Sequence, residues 1–206
     1  DGTVGNSDMM PLWNEKNHEG FFYHWDGLER SLTETVIEGA LGDGASLKAV
    51  NLPNLKRMEG FIRAAQPDSY PFPINQDQAA AGAALFKDSC AQCHAPGGRR
   101  TGTVIPIDEI RTDPERLKMW TDAAVQSYSS YANNYPFDFT QLQKTNGYLA
   151  VGLEGLWLRG PYLHNGSVPS LRDLLAPAES RPKTFYRGYD VRSEEHTSEL
   201  QSRQYL

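Results

Sequence analysis

Only two cysteines occur in this chain, and they form the motif Cys90-Ala-Gln-Cys93-His94. Two thiols at this spacing, at the end of a helix, can each add to one vinyl group of a porphyrin, and the next residue then presents its imidazole to the iron. A structural zinc site would need two further ligands, which no second cysteine pair supplies. A thioredoxin-like redox pair would follow a strand, whereas an Ala-rich segment precedes this motif. The motif therefore predicts covalently bound haem c, with zinc and redox sites as alternatives and His94 as the metal ligand.

Composition restricts the partners that this chain fits. Its formal net charge of -6 argues against nucleic acid, which requires a basic surface. No run of roughly 18 apolar residues occurs, so the sequence predicts no membrane span. The 13 Pro and 18 Gly predict many turns and long loops between short helices.

The first 66 residues are expected to contain two helices. Ser31 and Glu34 form a capping-box pattern, followed by an apolar run that ends near Gly42. A second helix is expected to begin near Pro53. Its apolar face would consist of Leu55, Met58, Phe61 and Ile62. Residues 66–73 contain three prolines that resist helix, so we predict an extended linker and a domain boundary there.

Residues 67–191 are expected to form a second unit around the cysteine motif. An Ala-rich helix from Gln76 to Lys87 leads into Cys90. Leu85 and Phe86 at its end would pack on the porphyrin edge or in an ordinary helix core.

Two more helices are predicted after the motif along the chain, and no β-rich stretch is visible in the sequence. The first would begin at Thr112-Asp113-Pro114. Its apolar side chains would be Leu117, Met119, Trp120, Ala124 and Val125. The second would open at residues 167–171 and end before Pro177.

Both ends of the chain carry expectations of their own. Asp1 opens the sequence without an initiator Met, which predicts a fragment. From Arg192 the text resembles the in-frame translation of a common sequencing adapter. Residues 192–206 are therefore expected to be an artefact tail without structure, with the natural sequence ending near Val191, the alternative being a polar natural tail.

Three segments carry a resemblance to a known family. Residues 82–94 resemble the haem-binding segment of c-type cytochromes, and Gly160-Pro-Tyr-Leu-His-Asn-Gly-Ser167 resembles a signature of di-haem bacterial cytochrome c peroxidases. His24-Trp-Asp-Gly27 is similar to the Phe-Trp-Asp-Gly stretch of those enzymes. Taken over residues 8–191, with residues 181–190 included, the chain looks closest to the branch that contains the rubber-cleaving di-haem oxygenase.

The resemblance implies a mostly α, two-domain protein with one haem per domain. Residues 1–66 would be the C-terminal part of a first cytochrome c-like domain, and residues 67–191 a second, helical haem domain with long loops. The other haem motif would lie in an upstream domain of the same parent chain, which would be the partner of this one. The parent would be a peroxidase- or oxygenase-like oxidoreductase, with the present haem relaying electrons and this fragment alone inactive.

Other residues receive roles from the same resemblance. Trp25 matches a tryptophan that assists electron transfer between the two haems, and a core tryptophan is the alternative. His164 matches a histidine that is not the axial ligand, which favours a supporting role beside the haem over iron ligation. Met119 is the other possible sixth ligand, although a helix-core role is favoured. A calcium ion is implied near Asp8 and the backbone of residues 159–161.

One rival function stays open at this stage. A stand-alone electron-carrier module of the cytochrome c type would have both faces of the iron filled and would catalyse nothing. In either case the chain would be periplasmic or otherwise exported, because thioether attachment of haem takes place outside the cytoplasmic membrane. A small redox protein would be the electron donor.

Overall fold

The computed structural model describes residues 7–186, and this part of the chain is mostly helical. The first four helices are α1 Leu32–Gly42, α2 Leu52–Ala64, α3 Gln76–Ser89 and α4 Ala91–His94. The other four are α5 Ile107–Ile110, α6 Glu115–Met119, α7 Asp122–Ser129 and α8 Leu171–Leu175. Short 3-10 turns occupy Glu15–Asn17, Leu47–Ala49, Leu156–Leu158 and Ala178–Ser180. The predicted mostly α fold class is confirmed. The proposed tail at residues 192–206 lies outside the described residues.

Side-chain caps explain where most of the longer helices begin. The Ser31 hydroxyl accepts the backbone N–H of Glu34, which confirms one half of the predicted capping box. The other half is wrong, because the carboxylate of Glu34 turns away and accepts the N–H groups of Thr140 and Gln141. The carboxylate of Glu29 takes its place and accepts the N–H of Ser31 at 2.8 Å. The start of α1 is therefore tied to two other segments of the chain.

The helix predicted from residue 112 is two helices instead of one. Trp120 has extended backbone angles, φ -98° and ψ 121°, and ends α6. The hydroxyl of Thr121 then accepts the N–H of Ala124 and starts α7. A cap signal inside the predicted helix therefore divides it, and Met119, at the end of α6, is 51% exposed instead of lying in a helix core.

The face predicted for α2 is only partly buried. Leu55 packs on the hydrophobic core, whereas Met58 is 52% and Phe61 75% exposed. At 100° per residue, Phe61 lies about 120° around the helix from Leu55, so the two side chains do not share a face. Only the first turns of α2 cover the core.

Two three-residue strands were not predicted. Strand β1, Val104–Pro106, pairs antiparallel with β2, Gly147–Leu149, and Ile105 stands opposite Tyr148. Gly147 is required at this crossing because a Cβ atom there would lie 2.0 Å from the carbonyl oxygen of Ile105. The pair is short, and it places the segment that follows β2 beside the cysteine motif.

A buried cluster joins the two predicted units. Ile37 of α1 packs with Ala132, Phe137 and Phe139 from the loop after α7. A partly buried ion pair between Arg116 and Asp26, 3.0 Å apart, also crosses the proposed boundary. Residues 65–75 carry no helix or strand, as expected for the predicted linker, and the domain division itself remains a prediction. No helix among residues 7–186 is long and apolar enough to cross a membrane.

Candidate haem-attachment site

The cysteine motif forms a turn of helix directly after α3. Cys90 ends α3 and begins α4, and its carbonyl accepts the N–H groups of Cys93 at 3.1 Å and His94 at 3.0 Å. Both thiols are free and partly exposed, so neither sulfur is used in a disulfide. One helical turn therefore presents two thiols and one imidazole, the donor set that covalent haem attachment requires.

A hydrogen bond from another part of the chain fixes the ring of His94. Nδ1 of His94 lies 2.8 Å from the carbonyl oxygen of Val151, two residues after β2. Because a carbonyl only accepts, Nδ1 donates this hydrogen bond, which in the neutral ring leaves the lone pair on Nε2. Histidines that ligate metals characteristically donate their other N–H to such an acceptor. The ring is thus held in the tautomer that an iron ligand needs.

Apolar surface beside the motif is left uncovered. Helix α3 contains no buried residue, and Leu85, five residues before Cys90, is 70% exposed. An exposed leucine by itself means little, but this one lies on the helix that leads directly into the cysteine motif. Two free thiols and an oriented imidazole follow it, so the residues present fit a haem.

The loop after the motif is compact. The N–H of Arg100 donates to the carbonyl of Gln92 at 2.9 Å, and the Thr101 hydroxyl donates to the carbonyl of Ala95 at 2.8 Å. A Cβ atom on Gly98 would approach the carbonyl oxygen of Ala91 to 2.5 Å, so glycine is needed where this loop crosses α4. The loop therefore supports the motif from behind.

His164 lies in a separate buried cluster. Its ring stacks on that of Tyr148, with ring centroids 4.2 Å apart, and its Nε2 lies 3.2 Å from the Tyr148 hydroxyl. That hydroxyl donates to the carbonyl of Asp113 at 2.7 Å. Burial is the main cause that lowers the pKa of His164, which favours the neutral ring. These contacts occupy His164 within the protein, in keeping with a supporting role.

Trp25 and Asp8 are connected to this cluster through the backbone. The indole N–H of Trp25 donates to the carbonyl of Asp8 at 2.7 Å, and the N–H of Asp8 donates to the carbonyl of His164 at 2.7 Å. The carbonyl of Trp25 accepts the N–H of Leu149, two residues before Val151. Trp25 and His164 are therefore linked through the backbone of Asp8, and Trp25 also pairs with β2, whereas His94 contacts Val151, two residues after this strand.

Asp8 is the residue near which the sequence predicts a calcium ion. Its carboxylate accepts the N–H of Met9 at 3.0 Å. Among residues 7–186, no group of three or more His, Cys, Asp and Glu side chains is arranged to hold a metal ion. Because calcium also accepts backbone carbonyls as ligands, the site near residues 159–161 stays a prediction.

Val151 was missed at the sequence level. It contributes a backbone carbonyl, which any residue type could supply, so no side-chain pattern identifies it. The sequence analysis also missed His18 and the two carboxylates beside it, Glu15 and Glu154. A lone histidine 76 residues before His94 gives no local signal.

Comparison with known proteins finds a family model that matches the segment after β1. Residues 147–186, which contain β2, Val151 and α8, match the model of a family described as RoxA-like, cytochrome c-like. The match supports a rubber-oxygenase-like cytochrome c family and a haem-binding redox function. A domain of this class implies haem c, with its iron, as the cofactor.

Two relatives come from Sinorhizobium fredii (strain NBRC 101917 / NGR234). The chain is 32% identical over 207 aligned residues to uncharacterized protein y4iM, covering 88% of this chain and 46% of that protein. It is 28% identical over 170 aligned residues to uncharacterized protein y4iJ, covering 56% of this chain and 28% of that protein. The chain thus spans about half the length of the first and about a quarter of the second.

Proposed function

We propose that this chain carries one covalently attached haem c that transfers electrons within a periplasmic di-haem cytochrome of the peroxidase or oxygenase type. The single observation that carries the proposal is the 2.8 Å hydrogen bond between His94 Nδ1 and the Val151 carbonyl. It orients an imidazole beside two free thiols, as covalent haem attachment requires. The match to a cytochrome c-like family supports the same conclusion.

Each residue of the site has a distinct part in this proposal. Cys90 and Cys93 would form the thioether bonds, and His94 would bind the iron through Nε2. The Val151 carbonyl orients the imidazole, and Leu85 would supply apolar surface for the porphyrin. The haem, once bound, supplies one-electron chemistry, while the protein sets its ligation, its polarity and its access to solvent.

The di-haem assignment rests on the family resemblance and on the position of Trp25. Its indole is held by the Asp8 carbonyl, and its own carbonyl pairs with Leu149 of the strand that leads to Val151. In the proposed parent, an upstream haem domain would exchange electrons with the present haem through Trp25. A calcium ion near Asp8 would join the two haem regions, and a small redox protein would deliver electrons.

Denaturing electrophoresis with haem staining tests the attachment. The full chain, exported and matured with the bacterial thioether-forming system, should keep its haem stain, because thioether bonds survive detergent and heat. The Cys90→Ala, Cys93→Ala double variant should lose the stain. Ser89→Ala next to the motif is the matched control and should keep it. An unstained wild-type chain, or a stained double variant, would overturn the proposal.

A further inference from the structure

A small cavity lies behind the proposed haem ligand. Its volume is about 40 Å³, enough for about three water molecules at the ~10–15 Å³ that each occupies by this measure. Val151 lines it, and the same residue accepts the hydrogen bond from His94. Glu15, His18, Glu154 and Arg159 also line it. These charged side chains therefore line the same cavity as Val151, whose carbonyl accepts the hydrogen bond from His94.

His18 stands between two carboxylates in this cavity. Its Nδ1 lies 3.5 Å from Oε2 of Glu15, and its Nε2 lies 3.6 Å from Oε1 of Glu154. The ring also stacks on Phe21, with centroids 5.0 Å apart. Both nitrogens thus face acceptors, and an imidazole can donate to both only when it is protonated.

Glu15 gives an independent indication that a proton belongs here. The residue is only 6% exposed, and apart from the approach of His18 its Oε2 makes no hydrogen bond among the described residues. A buried carboxylate oxygen without a donor is costly, so a proton on the neighbouring imidazole stabilises it. The contact with Glu15, and then the charges of Glu15 and Glu154, raise the pKa of His18 against the opposing effect of burial.

Arg159 and Tyr23 also face the cavity, and each keeps one protonation state near neutral pH. Burial lowers the pKa of Arg159 to about 10, so its guanidinium stays charged. Burial also raises the pKa of Tyr23 to about 12, so its phenol stays neutral. His18 is the cavity-lining group whose ordinary range of titration includes pH 6 to 8.

We propose that His18, held between Glu15 and Glu154, is a proton-binding site linked to the oxidation state of the haem iron on His94. An electron delivered by a small redox protein converts ferric to ferrous haem and removes one positive charge from the region. His18 then takes one proton from solvent, so the net charge is restored. Linkage is reciprocal, so the same coupling makes the reduction potential depend on pH. This inference rests on the proposed function, because it requires haem at Cys90 and Cys93.

The test is a spectroelectrochemical titration of the haem-loaded chain between about pH 5.5 and 8.5. The midpoint potential of the wild type should fall as pH rises, towards a limiting 59 mV for each tenfold change in proton concentration. His18→Asn should remove most of that slope. In Glu154→Gln the midpoint potential should still depend on pH, but over a lower pH range, because one of the charges that raises the pKa of His18 is gone.

His24→Asn provides the matched control. His24 also faces a buried carboxylate, with Nε2 3.1 Å from Oε2 of Glu38, but it does not line the cavity. The slope of midpoint potential against pH in His24→Asn should equal that of the wild type. A slope that persists in His18→Asn, or one that His24→Asn removes, would overturn the inference. A chain without haem stain would instead count against the proposed function, so the two failures are distinguishable.

Discussion

At the scale of single residues, Glu29 carries the most unusual environment in the fold. It is 0% exposed, and its Oε1 accepts the N–H groups of Arg30 at 2.6 Å and Ser31 at 2.8 Å. Its Oε2 is buried without a hydrogen bond among the described residues. Burial is the main cause that raises the pKa of Glu29 to about 8, and the two N–H groups oppose it. The carboxyl group is therefore largely protonated at neutral pH.

This protonation predicts how stability changes with pH. The unfolded chain releases the proton near pH 4.5 and the folded chain near pH 8, so the folded state binds more protons between these values. The free energy of unfolding should fall as pH rises across that window, by up to about 1.4 kcal/mol per pH unit. Glu29→Gln, which cannot ionise, should flatten this dependence in denaturant titrations at pH 5, 6.5 and 8. The exposed Glu179→Gln is the control, and an unchanged slope in Glu29→Gln would contradict the assignment.

His164 provides a second prediction at this scale. Removing its ring in His164→Ala leaves the Tyr148 hydroxyl without one neighbour and opens buried space, so the free energy of unfolding should fall by about 1–3 kcal/mol. The haem spectrum should be unchanged. Met119→Ala, at an exposed site, should change stability by less than about 0.5 kcal/mol. Loss of a low-spin spectrum in either variant would instead identify that residue as the sixth iron ligand.

Some residues of the candidate site could be predicted from the sequence and others could not. The motif Cys90 to His94 is predictable because its function depends on side chains at fixed spacing within one helical turn. The acceptor on Val151 is not, because a carbonyl has no sequence signature. Trp25 and His164 were found through resemblance, and their contacts to Asp8 use backbone atoms of Asp8, which carry no sequence signature.

At the scale of secondary structure, helix starts were easier to predict than helix faces. Ser31 marks the start of α1 through its own side chain, and Thr121 carries an equally local cap that would have placed the break after Trp120. Which side of α2 is buried depends on where α1 and the core lie. That information is not contained in residues 52–64, so the exposure of Phe61 could not be predicted from their spacing.

The cap of α1 predicts a measurable cost. Ser31→Ala removes the acceptor for the Glu34 N–H and should lower the free energy of unfolding by about 1 kcal/mol. Ser46→Ala is the matched control, because Ser46 precedes the turn Leu47–Ala49 without a side-chain cap. Chemical denaturation of both variants measures the difference. Equal stabilities would show that Glu29, and not Ser31, secures the helix start.

At the scale of the whole molecule, the shared core predicts cooperative unfolding. Ile37 packs with Phe137 and Phe139, so neither proposed unit covers its own apolar surface alone, and the partly buried ion pair of Arg116 with Asp26 also joins them. We expect one thermal transition, with the same midpoint for tryptophans before and after residue 67. Single-tryptophan variants followed by fluorescence measure this, and two separate midpoints would favour independent domains. No local sequence pattern could predict this shared core, because Ile37 lies 95 or more positions before the residues that it packs against.

The hydrogen bond between His94 and Val151 also separates two events in time. Cys90, Cys93 and His94 lie within one helical turn, so a chain emerging from its N-terminus presents them early. The carbonyl that fixes the imidazole comes 57 residues later. In the proposed function, covalent attachment of the cofactor would not have to wait for the Val151 carbonyl, whereas the final orientation of the iron ligand would. The thioether bonds would then retain the cofactor until the later part of the chain folds and orients the imidazole.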